Sequence, residues 1–372
     1  MHISLNMLFV TPTLAGGRIY CEGLLRGLAA VDRANEYTIF TREETALPPL
    51  PRERFQQLRA PIAGGSTVWR AYWEYVRLPG EIRRGGYSLL HGLGSLSPAP
   101  RACPTVLTIH DLIYHHFPQT VPLGHRWFMQ TVLPRVARRA ACVIVPSQFT
   151  ANDVVTHLGV DERRIRLVPY GRGQDFQPIS DNAAIGECLS RFAIRRPYII
   201  SVCRTYPHKN LAGLLRAFSR LRSSGYRDVQ LVLVGERYQT GETLDRLAQE
   251  LQLSDSTVFT GFVDQPTLNV LYSAAAVFAF PSLAEGLGLP VIEAMSCGTP
   301  VVASNASAVP EAVGDAGVLA DARNPEAFAE SLARVLNDPG VQADLRKRGL
   351  ERVQSLSWER CAAETVQVYN EL

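Results

Sequence analysis

The 372-residue chain contains no Asp-x-Asp pair, no Cys-x-x-Cys pair and no apolar run of the length that spans a membrane. Each absence excludes something. Without Asp-x-Asp the chain lacks the usual carboxylate pair that holds a divalent ion on a diphosphate, so no metal and no resident cofactor is expected. The seven cysteines (Cys21, Cys103, Cys142, Cys188, Cys203, Cys297, Cys361) are scattered and read as small buried hydrophobes in a reducing compartment. The longest apolar stretch is SAAAVFAFP at 273–281, and MHISLNMLFV has neither a basic leader nor a small-residue cleavage site. The expectation is a cytoplasmic protein whose membrane contact, where there is any, is peripheral and at the inner face. Charge of one sign is scarce as well: the net charge is +3 with basic residues spread along the chain, which gives no footprint for nucleic acid.

What is present points to two α/β domains. The length exceeds one ordinary core, and 46% hydrophobic with 20% charged residues is globular composition. Short apolar runs bounded by turn residues alternate with stretches of helical period, the pattern of parallel sheets covered by helices. Strands are expected at 3–10, 37–40, 88–90, 104–109, 142–145 and 165–168, and helices at 18–31, 67–84, 124–140 and 147–157. The second half repeats the pattern with strands near 198–203, 229–234, 257–260, 277–280, 300–303 and 317–319. Between the halves, YGRGQDFQPISDNAAIGECL loses apolar periodicity and reads as the linker. The expected domains are 1–178 joined by a last helix at 356–372, and 179–355.

Chemistry concentrates after strands. In PSLAEGLGLPVIEAMSCGTPVV (281–302) a strand runs into a glycine loop and then a helix with Pro290 in its first turn, a site where backbone N–H groups and the helix dipole favour an anion. Gly286 and Gly288 let a ligand approach, and the N–H groups around Leu287, Gly288 and Leu289 face it. Glu285 and Glu293 flank the loop; carboxylates accept from vicinal diols, so one can reach sugar hydroxyls and the other a ribose. In SVCRTYPHKN, Arg204 and Lys209 follow another strand, where two cations can neutralise a diphosphate leaving group, with Asn210 as the expected helix cap. Gly16 and Gly17 mark a turn after the first strand that can admit a diphosphate, but the third glycine of GxGxxG is missing and a dinucleotide is poorly supported. TIHDLIYHH puts His110 and Asp111 at a strand end, lining a polar cleft; with His115 and His116 the spacing fits no zinc pattern. VWRAYWEYVRLP, with Trp69, Tyr72, Trp73 and Tyr75, reads first as helix core packing and second as an acceptor- or membrane-facing surface.

Taken together these segments resemble glycosyltransferase family four, the group one glycosyltransferases, over nearly the whole chain. The most specific part is the E-x7-E segment, Glu285 and Glu293, supported by Arg204 with Lys209, Gly16-Gly17, TIHD, VPSQFTANDV and LVPYGRGQDF. The resemblance implies the GT-B fold: two Rossmann-like domains with parallel sheets facing across a cleft, the donor held by the second domain, the acceptor by the first, and the terminal helix crossing back. It implies that Glu285 and the loop N–H groups meet the donor sugar, Glu293 the ribose and Arg204 with Lys209 the diphosphate, with GFV at 261–263 (Phe262, Val263) beside the base. His110 then touches the sugar near the reacting carbon, and Asp111, Trp73 and Tyr170 fall on the acceptor side. The implied reaction is retaining transfer of a hexose from a nucleotide sugar, of GDP-mannose or UDP-glucose type, to a saccharide or lipid-linked saccharide in cell-surface polysaccharide synthesis. The sequence departs from the family in reading EGLGLP where many relatives have EGFGLP, which alters packing at Leu287; TYPHKN is similar to bacterial polysaccharide transferases. A GT-B epimerase or phosphorylase, or a non-catalytic nucleotide-binding subunit, are the alternatives that the same residues leave open.

Overall fold

A computed structural model describes residues 1–11, 16–62, 67–173 and 175–372, without the side chain of Thr67. The chain divides into two compact units, residues 1–112, 121–171 and 356–372 in the first and 113–120 with 172–355 in the second. The break therefore falls after Gly171 where the sequence suggested 178, and residues 113–120 group with the second unit.

In the first unit β1 (His2–Asn6), β2 (Glu36–Arg42), β3 (Phe55–Ala60), β4 (Leu89–Gly92), β5 (Thr105–Thr108), β6 (Cys142–Val145) and β7 (Ile165–Leu167) form one parallel sheet in the order β3-β2-β1-β4-β5-β6-β7. The helical segments are α1 (Gly16–Val31), α2 (Thr67–Tyr72), α3 (Leu78–Gly85), α4 (Ile113–His116), α5 (Leu123–Arg139) and α6 (Gln148–Asp153), of which α4 lies in the stretch grouped with the second unit. Four-residue strands such as CVIV are buried throughout because helices cover both faces of a parallel sheet.

The second unit holds β8 (Tyr198–Val202), β9 (Gln230–Val234), β10 (Thr257–Gly261), β11 (Val277–Phe280), β12 (Val301–Ser304) and β13 (Gly317–Ala320), all parallel, in the order β10-β9-β8-β11-β12-β13. Its helices are α7 (Asn182–Arg191), α8 (Leu211–Ser223), α9 (Gly241–Glu250), α10 (Gln265–Ala274), α11 (Leu289–Ser296), α12 (Val309–Val313), α13 (Pro325–Asn337) and α14 (Pro339–Gln354). Counted from β8, this is the doubly wound order in which the chain builds outward to β10 and returns to start β11 on the other side of β8. The core beneath is the Leu211, Leu214, Leu215, Phe218 stripe of α8 with Leu231, Leu244, Ala248 and Phe328.

The last helix, α15 (Trp358–Asn370), belongs to the first unit and packs on α1. Glycines make the close approach possible: a Cβ on Gly27 would lie 2.2 Å from the Trp358 carbonyl oxygen, and one on Gly171 2.2 Å from the Trp358 nitrogen. Among the described residues no helix is long and apolar enough to cross a membrane.

Four expectations change in detail. The first strand stops at Asn6, four residues early, because the Asn6 side chain accepts from the Leu8 N–H at 3.1 Å and turns the chain. β3, FQQLRA, was not expected; it is an edge strand whose glutamines and arginine hide any alternation. The stretch read as linker contains α7, whose N-cap Asp181 accepts from Ala183 and Ala184 and whose Ile185 and Leu189 are buried. The helix expected over 67–84 is interrupted by one π-helical turn at Trp73–Arg77.

Candidate active site

In the second unit β8 and β11 are neighbours at the point where the winding reverses, so the loops after them leave adjacent carboxyl ends, the place where doubly wound sheets hold ligands. After β8 the chain makes a single 3-10 turn, Pro207–Lys209, and Asn210 adopts φ 52°. Asn210 was expected to cap α8 through its side chain; instead its amide donates 2.7 Å to the Ala322 carbonyl, and no side-chain cap bond forms. After β11, Pro281 to Gly288 form the glycine loop, and Gly288, at φ 103°, precedes α11 with Pro290 in its first turn. An added Cβ at Gly288 would meet only ordinary contacts at 3.6 Å and beyond, so the backbone angle is what requires glycine there.

The two loops are joined. Leu283 N donates to the His208 carbonyl at 2.8 Å and Ser282 Oγ to the same oxygen at 3.3 Å. Lys209 Nζ then meets Glu285 Oε1 at 2.5 Å, with side chains only 16% and 10% exposed, and lies 5.8 Å from the centre of the Phe280 ring. The Glu285 N–H is held by Ser307 Oγ at 3.0 Å. Burial, with the Lys209 charge beside it, pulls the His208 imidazole down to about 4, so it is neutral at pH 7. Arg204 pairs with Glu236 at 2.8 Å. Glu236 escaped the sequence reading, although its position was signalled: Gly235 ends the apolar run of β9 at φ 134°, where a Cβ would strike the Cys203 carbonyl at 2.2 Å, so the two strand ends approach closely.

Glu293 sits one turn into α11, buried, accepting from the Tyr272 hydroxyl at 3.2 Å. Burial raises its carboxyl to about 7, the Tyr272 bond opposing the shift. Gly286 and Leu287 are buried in the loop, Leu289 half-buried. At the end of β10, Gly261 has φ 72°, Val263 is half-buried and Phe262 is 83% exposed, a large apolar ring left in solvent.

The residues expected on the acceptor side lie in the first unit and are engaged differently. Gly16 and Gly17 open α1; Pro12 to Ala15 of the same turn lie outside the described residues. The ring of His110 has Leu93 O at 2.8 Å from Nε2 and the Tyr170 hydroxyl at 2.5 Å from Nδ1. A carbonyl only accepts, so Nε2 carries the proton and Tyr170 donates to Nδ1. Burial holds this imidazole down near 4, neutral like His208. His110 therefore reaches a sugar only by exchanging one of these bonds, and the buried Tyr170, whose hydroxyl is spent on His110 and whose ring lies 4.6 Å from Tyr20, positions His110 instead of facing an acceptor. Half-buried Asp111 adds its charge near Tyr170. Half-buried Trp73 packs against the Leu8, Phe40, Ile62 and Leu78 cluster, while Trp69 and Tyr72 are exposed.

The cation held against the first carboxylate of the E-x7-E loop lies in a stretch that a family model matches. Residues 14–172 match Glycosyltransferase Family 4 and residues 190–352 match Glycosyl transferases group 1. The chain is 30% identical over 268 residues to the O-antigen chain mannosyltransferase B of Escherichia coli, covering 71% of this chain and 69% of that one. It is 33% identical over 306 residues to an MMP alpha-(1->4)-mannosyltransferase of Mycolicibacterium hassiacum, covering 77% and 71%. Among solved structures, a sucrose-phosphate synthase from Thermosynechococcus elongatus superposes with a TM-score of 0.80 at 25% identity, covering 100% of this chain and 98% of that one. The chain belongs to the group 1 glycosyl transferases, glycosyltransferase family 4, and has their GT-B fold.

Proposed function

We propose that the protein is a retaining, metal-independent hexosyltransferase, and that its donor is a nucleotide-activated mannose of the GDP-mannose type, with UDP-glucose the second choice. The Lys209–Glu285 pair across two adjacent strand ends carries the reading: it sets a cation where a diphosphate would sit and a carboxylate where a sugar hydroxyl would sit. Mannose is favoured because the two relatives named above are both mannosyltransferases. The acceptor is a saccharide or lipid-linked saccharide of a cell-surface polysaccharide, and the reaction takes place in the cytoplasm, where nucleotide sugars are made.

In this reading the bond from the anomeric carbon to the diphosphate oxygen breaks and its electron pair leaves with the diphosphate. The acceptor oxygen bonds to the same face of that carbon, and its proton passes to the departing phosphate oxygen. Lys209 and Arg204 offset the charge that develops there. Arg204 must exchange Glu236 for the phosphate, which loses little because Glu236 is half exposed. Glu285 accepts from donor hydroxyls, and Glu293, protonated near neutrality, bonds the ribose. Phe262 offers a face to the base.

The test is calorimetric titration with GDP, UDP and ADP in excess EDTA, followed by transfer assays from the sugar of whichever base binds. Tight GDP binding and mannosyl transfer without metal is the expected result. A strict divalent-metal requirement would overturn the role of the cations, and binding without transfer to any acceptor would favour the non-catalytic subunit.

A further inference from the structure

The first unit carries an apolar face that its own core leaves uncovered. Val68, Trp69, Tyr72 and Val76 follow each other along one side of α2 and the π-turn, and Leu123 and Trp127 stand one turn apart on α5. All six are exposed, Val68 by 82%, Leu123 by 81%, Trp127 by 68% and Val76 by 59%. The two helical stretches are neighbours: the Tyr75 and Phe128 rings meet edge to face at 6.0 Å, and burial, with the Arg70 charge added, depresses the His125 imidazole. Trp69 and Tyr72 stack with ring centres 5.1 Å apart, and the Trp69 indole N–H is fixed on the Pro61 carbonyl at 3.0 Å, so the face is held in shape.

Charge distinguishes what can cover it. The stretch from Thr67 to Gly85 has four arginines and two glutamates, and α5 has four arginines and no acidic residue, six net positive charges in a chain whose total is +3. Of the two glutamates, Glu74 is buried beside Arg70 and Glu81 is paired with Arg84. Arg77, Arg83, Arg135, Arg138 and Arg139 are exposed on the same two stretches of chain. Exposed Trp and Tyr with arginines that can extend their stems toward phosphate is the chemistry of a surface lying in a bilayer interface. A docking surface for a second copy would set these like charges against one another.

We propose that this face of α2, the π-turn and α5 rests on an anionic lipid bilayer. It goes beyond the transferase reading and needs no substrate to be seen. The arginines bring the chain to the headgroups, and Val68, Trp69, Leu123 and Trp127 enter the boundary with the acyl chains.

The experiment is flotation of the purified chain with vesicles of phosphatidylcholine, with and without about 30% phosphatidylglycerol. Binding is expected only with the anionic lipid and should weaken as salt rises. Val68→Glu with Trp127→Glu, both exposed positions, should lower partitioning by roughly tenfold or more while leaving the melting temperature and nucleotide affinity as in the wild type. A second variant, Arg138→Glu with Arg139→Glu, should lower anionic-vesicle binding alone. No vesicle binding by the wild type overturns the proposal, and a dimer by light scattering that Trp127→Glu dissolves would assign the face to a second copy. Binding that both variants leave intact overturns it as well. Loss of nucleotide binding with vesicle binding retained would remove the transferase reading and leave the bilayer face standing.

Discussion

The two sheets share the order 3-2-1-4-5-6 about their first strands, yet the chemistry at their strand ends is opposite. In the second unit the groups after β8 and β11 are ionic, Lys209 against Glu285 and Arg204 against Glu236. In the first unit the histidines in β4 and after β5 are neutral, and only Asp111 beside them carries charge: His91 bridges Tyr369 and Thr108, and His110 bridges Tyr170 and the Leu93 carbonyl. Burial holds His91 near 3 and His110 near 4, so neither is a cation at pH 7. One topology thus supports two kinds of strand end, one built of ion pairs and one of neutral histidines beside a single carboxylate. Function follows the residues at the strand ends and not the fold.

The sharpest way to break this contrast is to remove the charge. Lys209→Ala should lower turnover by about 10² to 10³, the range for losing one preorganised electrostatic donor. It also leaves Glu285 nearly buried and unpaired, so stability falls too. Lys209→Met with Glu285→Gln, which keeps shape and removes both charges, should recover stability and not turnover. His110→Gln should lower turnover far less; a loss equal to that of Lys209→Ala in steady-state assays would mean the two strand ends are electrostatically alike.

Proton linkage gives a second handle. Glu293 and Glu74 are both buried and raised to about 7 from 4.5. The folded chain therefore keeps these protons after the unfolded chain has lost them, and stability is greatest below about 4.5 from this source and is lost as pH rises through 7. The histidines act in the opposite sense: depressed from 6.5, His91 and His110 contribute stability above 6.5 that is lost as pH falls toward 4 and 3. Glu293→Gln keeps an acceptor for Tyr272 and should remove a pH-dependent loss on the order of 3 kcal/mol between pH 5 and 8. Urea melts across that range check it; an unchanged slope would show that Glu293 ionises normally in the fold.

A backbone test separates space from conformation. Gly27→Ala drives a methyl into the Trp358 carbonyl and should cost about 1 to 3 kcal/mol by thermal melting. Gly16→Ala, where an added Cβ meets nothing within 4 Å among the described residues, should change stability little. Equal effects would mean that the α1–α15 contact yields more readily than its geometry implies.

How much of this was legible depended on locality. Every strand of the second unit, and the loops holding Arg204, Lys209, Glu285 and Glu293, could be read because short apolar runs such as VLV before Gly235 and VVA before Ser304 and Asn305 end abruptly in turn residues. β3 was missed because an edge strand with Gln56, Gln57 and Arg59 needs no apolar period. α7 was missed because only Ile185 and Leu189 face the core, too few to show a stripe among NAAIGECLSR. In the candidate site the partners of the readable residues were the hidden part. Glu236 for Arg204, Tyr272 for Glu293 and Tyr170 for His110 come from 21 to 60 residues away, or from another strand end, and no spacing rule connects them.

Asn210 shows the same gap at the smallest scale. Between Lys209 and α8 an asparagine suggests a helix cap, yet its side chain crosses to Ala322 after β13 and its backbone stands at φ 52°. Asparagine tolerates that angle better than most residues, and glycine better still. Asn210→Gly relieves the backbone but removes the cross-loop bond, which is worth about 0.5 to 1.5 kcal/mol net. The two terms nearly offset, so stability should fall by less than about 1 kcal/mol. The consequence to measure is the loop: with its tie to Ala322 gone, Lys209 is less well fixed, and nucleotide affinity should drop severalfold at nearly unchanged melting temperature. Asn210→Asp would lose the donor and add a negative charge next to Lys209, so it should weaken nucleotide binding more than Asn210→Gly does. The reverse order would mean that the backbone angle, and not the side-chain bond, sets the cation in place.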